Sequence, residues 1–250
     1  MIVIKTAREL SKMQDACKLS ARALRLAGEA VEPGVSTFEI DTIVRKYIEE
    51  QGATPSFLGY GGFPASACIS VNNVVIHGIP SKKIILKEGD IVSIDVGAFI
   101  NGYHGDNAYT FACGDISKEA KALLDATKES LFMGIKQAVA GNRVGDISAA
   151  VQEYTEARSY SVVRDFVGHG VGAKLHEEPS VPNFGTPHRG VRLIPGMTLA
   201  IEPMINAGDH RVKVLDDEWT VVTVDGSLSA HFEHTIAVTP DGPVIMTLPD

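Results

Sequence analysis

The apolar positions of the first fifty residues fall on two helical stripes. Thr6 and Glu9 form a T-x-x-E capping box, and Leu10, Met13, Cys17, Ala21, Leu24 and Val31 follow at helical spacing until Pro33-Gly34 breaks the pattern. Ser36 and Glu39 make a second box, opening a helix through Ile40, Ile43, Val44 and Tyr47 that stops near Gly52. Strands are predicted around 67–76, 91–99 and 103–112. Helical periodicity returns over roughly 118–140 and 145–157. Further strands are predicted near 198–206, 211–215, 219–225, 231–238 and 243–247.

Two helices followed by strands therefore occur twice, and a constant offset of 107 residues relates the copies. It maps Gly34 onto Gly141, Glu39 onto Asp146, Tyr47 onto Tyr154, Gly89 onto Gly196 and Asp95 onto Glu202. Helical periodicity alone accounts for matched apolar residues. It does not account for an acid placed six residues after each of two glycines. We read a duplicated α+β unit: one domain over 1–250, with halves at about 1–112 and 113–250, and with Asp95 and Glu202 flanking a single cleft.

The stretch IVSIDVGAFINGYHGDNAYTF, residues 91–111, has the pattern of a hairpin around Asn101-Gly102, the strongest short signal for a type I′ turn. In that register Asp95 pairs with Ala108, and parity puts Asp106 on the same face as Asp95. Two carboxylates about 4 Å apart repel by about 4 kcal/mol at an effective dielectric of 20. Acids in strands more often line a solvated edge, and a salt bridge or shared proton would also relieve the repulsion. Yet no Lys or Arg lies between Ile91 and Phe111, nor beside Glu202 in MTLAIEPMI or Glu233 in AHFEHTIAV. Divalent cations are the economical solution.

Histidines complete the set. FVGHGVGAKLHEEP places His169 in a glycine-rich turn and His176 seven residues on, while His77 ends a strand pattern before Gly-Ile-Pro. Singly, each is more often a hydrogen-bonded structural residue. Together with four acids in apolar settings they suggest oxygen-rich ligation with one imidazole, and a two-metal hydrolytic centre.

Bulk composition narrows the class. The chain has 250 residues and a net charge of -8, which argues against a protein that coats nucleic acid or an anionic membrane. Cys17, Cys68 and Cys113 are odd in number and lack CxxC spacing, as expected in a reducing compartment. The N-terminus is charged too early for a signal peptide, and no 18-residue apolar run exists, so a soluble cytoplasmic protein is expected.

At HGIP (77–80), SIDVG through GYHGD (93–106), GHGVG…LHEEP (168–179), GMTLAIEP (196–203) and GSLSAHFEHT (226–235), the sequence resembles type I methionine aminopeptidase, of the pita-bread metallopeptidase superfamily. The motifs are in order and spread over both halves. The resemblance implies an α+β pita-bread (creatinase/aminopeptidase) fold, with two pseudo-symmetric halves and a curved antiparallel sheet covered by helices. It implies removal of an initiator methionine that precedes a small residue. Asp95, Asp106, His169, Glu202 and Glu233 would be the metal ligands: Asp106 and Glu233 shared by two ions, Asp95 on one, His169 and Glu202 on the other. The ions could be Co, Mn, Fe(II), Zn or Ni. Glu202 would also accept the proton of the attacking water, His77 would contact the scissile nitrogen, and His176 would donate to the carbonyl oxygen.

The same resemblance implies a methionine pocket of Tyr60, Phe63, Cys68, Leu175 and Trp219 with Phe57 close by, although core packing is the usual role of isolated aromatics. Phe63, Leu175 and Phe57 depart from the Tyr, Phe and smaller residue common in the family, which bears on pocket shape and not on the reaction. A monovalent-cation site maps to Asn72, Val74 and Ser229. The implied partners are nascent polypeptides and the ribosome, for a monomer without direct nucleic-acid binding. The rival readings are a prolidase or aminopeptidase P of the same fold, a non-catalytic pita-bread binding protein, and a two-metal phosphoesterase. The first usually carries an extra N-terminal domain, the second loses metal ligands, and the third needs Lys or Arg to hold phosphate.

Overall fold

Both expected capping boxes form. Thr6 accepts the Glu9 N–H and the Glu9 carboxylate receives the Thr6 N–H, opening α1 (Ala7–Glu29); Ser36 and Glu39 open α2 (Thr37–Glu50) in the same way. The computed structural model describes residues 1–248. After α2 come β1 (Thr54–Pro55), β2 (Ala67–Val71), β3 (Val74–Ile76), β4 (Ile91–Ile100) and β5 (Tyr103–Ala112). The β4–β5 turn has positive φ at both Asn101 and Gly102, 57° and 85°, as a type I′ turn requires.

The second half holds α3 (Lys118–Lys136), α4 (Val144–Glu156), β6 (Ser161–Val162), β7 (Gly168–Gly170), β8 (Glu177–Val181), β9 (Thr198–Ile201) and β10 (Met204–Asn206). It continues through β11 (Val212–Val214), β12 (Val221–Thr223), β13 (Ser229–His231), β14 (His234–Thr239) and β15 (Gly242–Ile245). Two predicted strands are interrupted at acids. The 198–206 run divides at Glu202-Pro203, where proline has no N–H for a ladder, and the 231–238 run divides at Phe232-Glu233. The segment expected to be a glycine-rich turn around His169 is instead strand β7, with His169 paired to Ala200 of β9. Strands β7 and β8 were missed because glycine and glutamate give no strand pattern.

Every ladder is antiparallel. One sheet is β1-β4-β2 with β5 on β4; its counterpart runs β15-β14-β9-β7-β8. Two three-stranded sheets, β13-β10-β6 and β11-β12-β3, join them, the latter crossing between halves. Helices α1 and α2 cover the first sheet around a core of Ile40, Ile94 and Val96, and α3 and α4 cover the second around Leu131, Ile147 and Leu199. Gly105 allows the close approach of α1, because a Cβ there would lie 2.4 Å from the Cys17 nitrogen.

The 107-residue offset reappears in geometry. Gly34 donates to Leu86 O at 2.8 Å and Gly141 to Leu193 O at 2.9 Å, while the bridge Ser36–Ile85 recurs as Arg143–Arg192. Beyond β4 the offset becomes 125. Gly89 donates to Cys113 O and Gly196 to Val238 O, both at 2.9 Å. The 18-residue difference lies between Glu202 and Glu233, in β10 to β13 and their loops.

Candidate metal centre

The β4–β5 register pairs Asp95 with Ala108 and Gly97 with Asp106, so both aspartates emerge on one face, as the hairpin argument requires. The second half closes over them. The Glu233 N–H donates to Ala108 O at 2.9 Å, fixing Glu233 beside the cross-strand partner of Asp95. β7 delivers His169, and Glu202 follows the last residue of β9. One oxygen or nitrogen from each of Asp106, His169 and Glu233 lies within 4.8 Å of the others. His169 Nε2 is 3.8 Å from Asp106 Oδ2 and 3.5 Å from Glu202 Oε1. All five expected ligands line one cavity of about 280 Å³.

The donor set fits a cation. Asp95 Oδ1, Asp106 Oδ1 and Glu233 Oε1 are buried without a hydrogen-bond partner, a costly arrangement for carboxylates unless something positive sits among them. The cavity lining includes no Lys or Arg among the described residues. Burial, and then repulsion from neighbouring carboxylates, pushes the proton affinities of Asp95, Glu202 and Glu233 well above the carboxylate range. Asp106 rises to about 7, burial outweighing the opposing Asn107 N–H. A bound cation would reverse these shifts. Burial also lowers His169 to about 3, keeping it neutral. Its Nδ1 lies 2.8 Å from Gly170 O, so Nδ1–H donates to that carbonyl and Nε2 is left as the ligand atom.

The remaining expected residues enclose the same cavity. His77 follows β3 in a left-handed conformation, φ 57°, and burial brings it to about 4. Its ring meets Trp219 and Phe166 edge-on, with centroids 6.1 Å and 5.8 Å away. His176 stands exposed at the mouth; its Nδ1 and the Tyr60 hydroxyl share a 2.7 Å hydrogen bond, and its ring is 4.2 Å from that of His169. Phe57, Phe63, Cys68 and Leu175 form one buried cluster, and Trp219 contacts Phe63 edge-on at 5.1 Å. Cys68 is the cross-strand partner of Asp95, so the apolar pocket abuts the carboxylates directly. Burial, followed by the Asp95 charge, raises its thiol well above the ordinary range.

Asn72, Val74 and Ser229 lie apart from that lining. Asn72 O accepts the Ser229 N–H at 2.9 Å, and Val74 sits in the β3–β12 ladder. Ile76, Phe166 and Val167 also face the cavity and were not anticipated. Nor was His231, which is buried with an unpartnered Nε2 3.8 Å from Glu202 Oε2. The offset of 125 maps Asp106 onto His231 and could have found it. Asn183, also unanticipated, donates to Glu202 O at 2.9 Å.

Comparison with known proteins agrees with this geometry. The chain belongs to metallopeptidase family M24, whose sequence model matches residues 11–240. Within that family it is 56% identical over 248 residues to the methionine aminopeptidase of Clostridium perfringens, covering 99% of each chain. It is 53% identical to methionine aminopeptidase 1 of Bacillus subtilis, again over 99% of each. The crystal structure of methionine aminopeptidase from Thermotoga maritima superposes with a TM-score of 0.97 at 48% identity, covering 99% of both chains. A prolidase from Pyrococcus horikoshii shares the pita-bread fold, with a TM-score of 0.81 at 23% identity, and this chain spans 65% of its length.

Proposed function

We propose that this protein removes the N-terminal methionine from peptides and nascent polypeptides whose second residue is small, by metal-assisted hydrolysis of the first peptide bond. The observation that carries this reading is one cavity whose lining combines five ligand-type side chains with an apolar cluster of Phe57, Phe63, Cys68 and Leu175. The methionine side chain occupies the pocket that this cluster lines, between Tyr60 and Trp219, and the free α-amino group lies on the Asp95 side.

Asp95, Asp106, His169, Glu202 and Glu233 would hold the divalent ions. Such ions supply Lewis acidity to the scissile carbonyl and make water a nucleophile near neutral pH. Mn, Fe(II), Co, Zn and Ni all suit this donor set. Glu202 takes the proton from the attacking water; Asn183 fixes its backbone, while its side chain faces His169 and His231. Tyr60 donates to His176 Nδ1, which leaves Nε2–H as a donor to the carbonyl oxygen as charge develops there, a contribution of about 3 kcal/mol in comparable sites. His77 contacts the departing nitrogen. The carbonyls of Asn72, Val74 and Ser229 would hold a monovalent cation. The enzyme works as a cytoplasmic monomer at the ribosome, as one domain of two fused halves; no helix among the described residues is long and apolar enough to cross a membrane.

The test is direct. Purified protein with Mn(II) should release methionine from Met-Ala-Ser and leave Met-Leu-Ser and Ala-Pro peptides intact. Turnover of a phosphodiester without methionine release would sink the reading.

A further inference from the structure

The loop that carries His176 is anchored by a charge pair outside the cavity. Lys5 Nζ lies 2.5 Å from Glu177 Oε2, and the two side chains are only 2% and 5% exposed. Glu177 Oε1 also accepts the Lys174 N–H at 3.2 Å, closing the loop from 171 to 176 on itself. Lys5 in turn is tied by its own N–H to Gly196 O at 2.8 Å, a few residues before β9. Gly172 leaves space for the pair, because a Cβ there would lie 2.6 Å from both Glu177 Oε1 and Lys5 Cε. Neighbouring residues of an extended segment point to opposite sides. Fixing the Glu177 side chain therefore fixes the roll of the segment and the direction in which His176 projects.

We infer that Lys5 and Glu177 are positioning residues for His176: the buried pair holds the loop so that the His176 ring meets Tyr60 and faces the metal centre. A buried pair is weak evidence for a gain in stability, because desolvation offsets much of its attraction. Here the loop that carries His176 uses it to define one conformation. The inference rests on the peptidase reading for the role of His176, and concerns only how that ring is held.

Lys5→Met alone would leave a buried carboxylate and could unfold the loop, so the test is the double variant Lys5→Met/Glu177→Gln, in which no charge is orphaned and the amide still accepts from Lys174. On Met-Ala-Ser with Mn(II), kcat should fall about tenfold with KM within about twofold, as expected when a reacting group is misaimed. In a His176→Ala background the same double change should alter kcat by less than about twofold, since there is no ring left to aim. Equal losses in both backgrounds, or no loss in either, would overturn the assignment. A second readout does not need turnover. In zinc-loaded protein, histidine ring NMR should show one His176 tautomer, replaced by a mixture in the double variant. An unchanged pattern there also overturns it. Failure of the unsubstituted enzyme to release methionine would instead count against the peptidase reading, with the ring spectra still deciding the pair.

Discussion

The Thr235 hydroxyl brackets the backbone of Asp106, accepting its N–H at 3.2 Å and donating to its carbonyl at 2.7 Å. Thr110 does the same to His231, at 2.9 Å and 2.8 Å. Each half thus grips one residue of the other: Asp106 in the cavity lining, and His231, whose Nε2 faces Glu202. Thr235→Val keeps the shape and removes both bonds; it should weaken Mn(II) binding about tenfold in calorimetric titration, in the range for groups that orient a ligand. Thr235→Ser should restore it. Undiminished affinity in the valine variant would show that the bracket is dispensable.

In the proposed reaction Glu202 both ligates and accepts a proton. Glu202→Gln keeps the volume and the Asn183 bond to its backbone, so the protein should fold. Its kcat on Met-Ala-Ser should drop by at least about a hundredfold, the scale of a lost acid–base group. Full activity would remove Glu202 from the mechanism.

His176 and Trp219 should separate kinetically. His176→Ala removes a donor that matters only as the carbonyl oxygen gains charge, so kcat should fall about a hundredfold at nearly constant KM. Trp219→Ala opens one wall of the methionine pocket beside Phe63 and His77, and should raise KM about tenfold with a smaller effect on kcat.

Stability of the chelated protein should fall with pH above about 6.5. Asp95, Asp106, Glu202 and Glu233 bind protons more tightly folded than unfolded, so the folded state holds extra protons and loses stability as pH rises. Histidines oppose this at lower pH. Burial lowers His77, His104 and His234 to about 4 and His169 and His231 to about 3, so their contribution grows with pH and is complete near 6.5. Mn(II) should remove the decline. Melting temperatures with and without chelator at pH 6.5 and 8.5 check this; equal chelated values would contradict it.

Local rules were legible. Two capping boxes set α1 and α2, and an Asn-Gly turn fixed the parity that joins Asp95 to Asp106. Long-range register was not. Strand β7 exists because β9 supplies a ladder and β8 because β7 does, and no residue pattern announces them. His231 stayed hidden because 18 extra residues in the second copy shift the offset from 107 to 125, and a single-offset search ends at Glu202. Phe166 and Val167 lie in irregular chain just before β7, where periodicity carries no information.

The bond from Glu233 to Ala108 has a consequence for how the molecule comes into being. Asp95 and Asp106 leave the synthesis machinery long before the segment that must lie against them. A chain not yet extended through Glu233 presents a finished hairpin with no facing strand, so it cannot assemble the full set of ligand-type side chains. Translation from the N-terminus therefore builds the acidic wall first and the segment that closes over it much later. A newborn copy stays inert toward the peptides around it until the segment carrying Glu233 has been made.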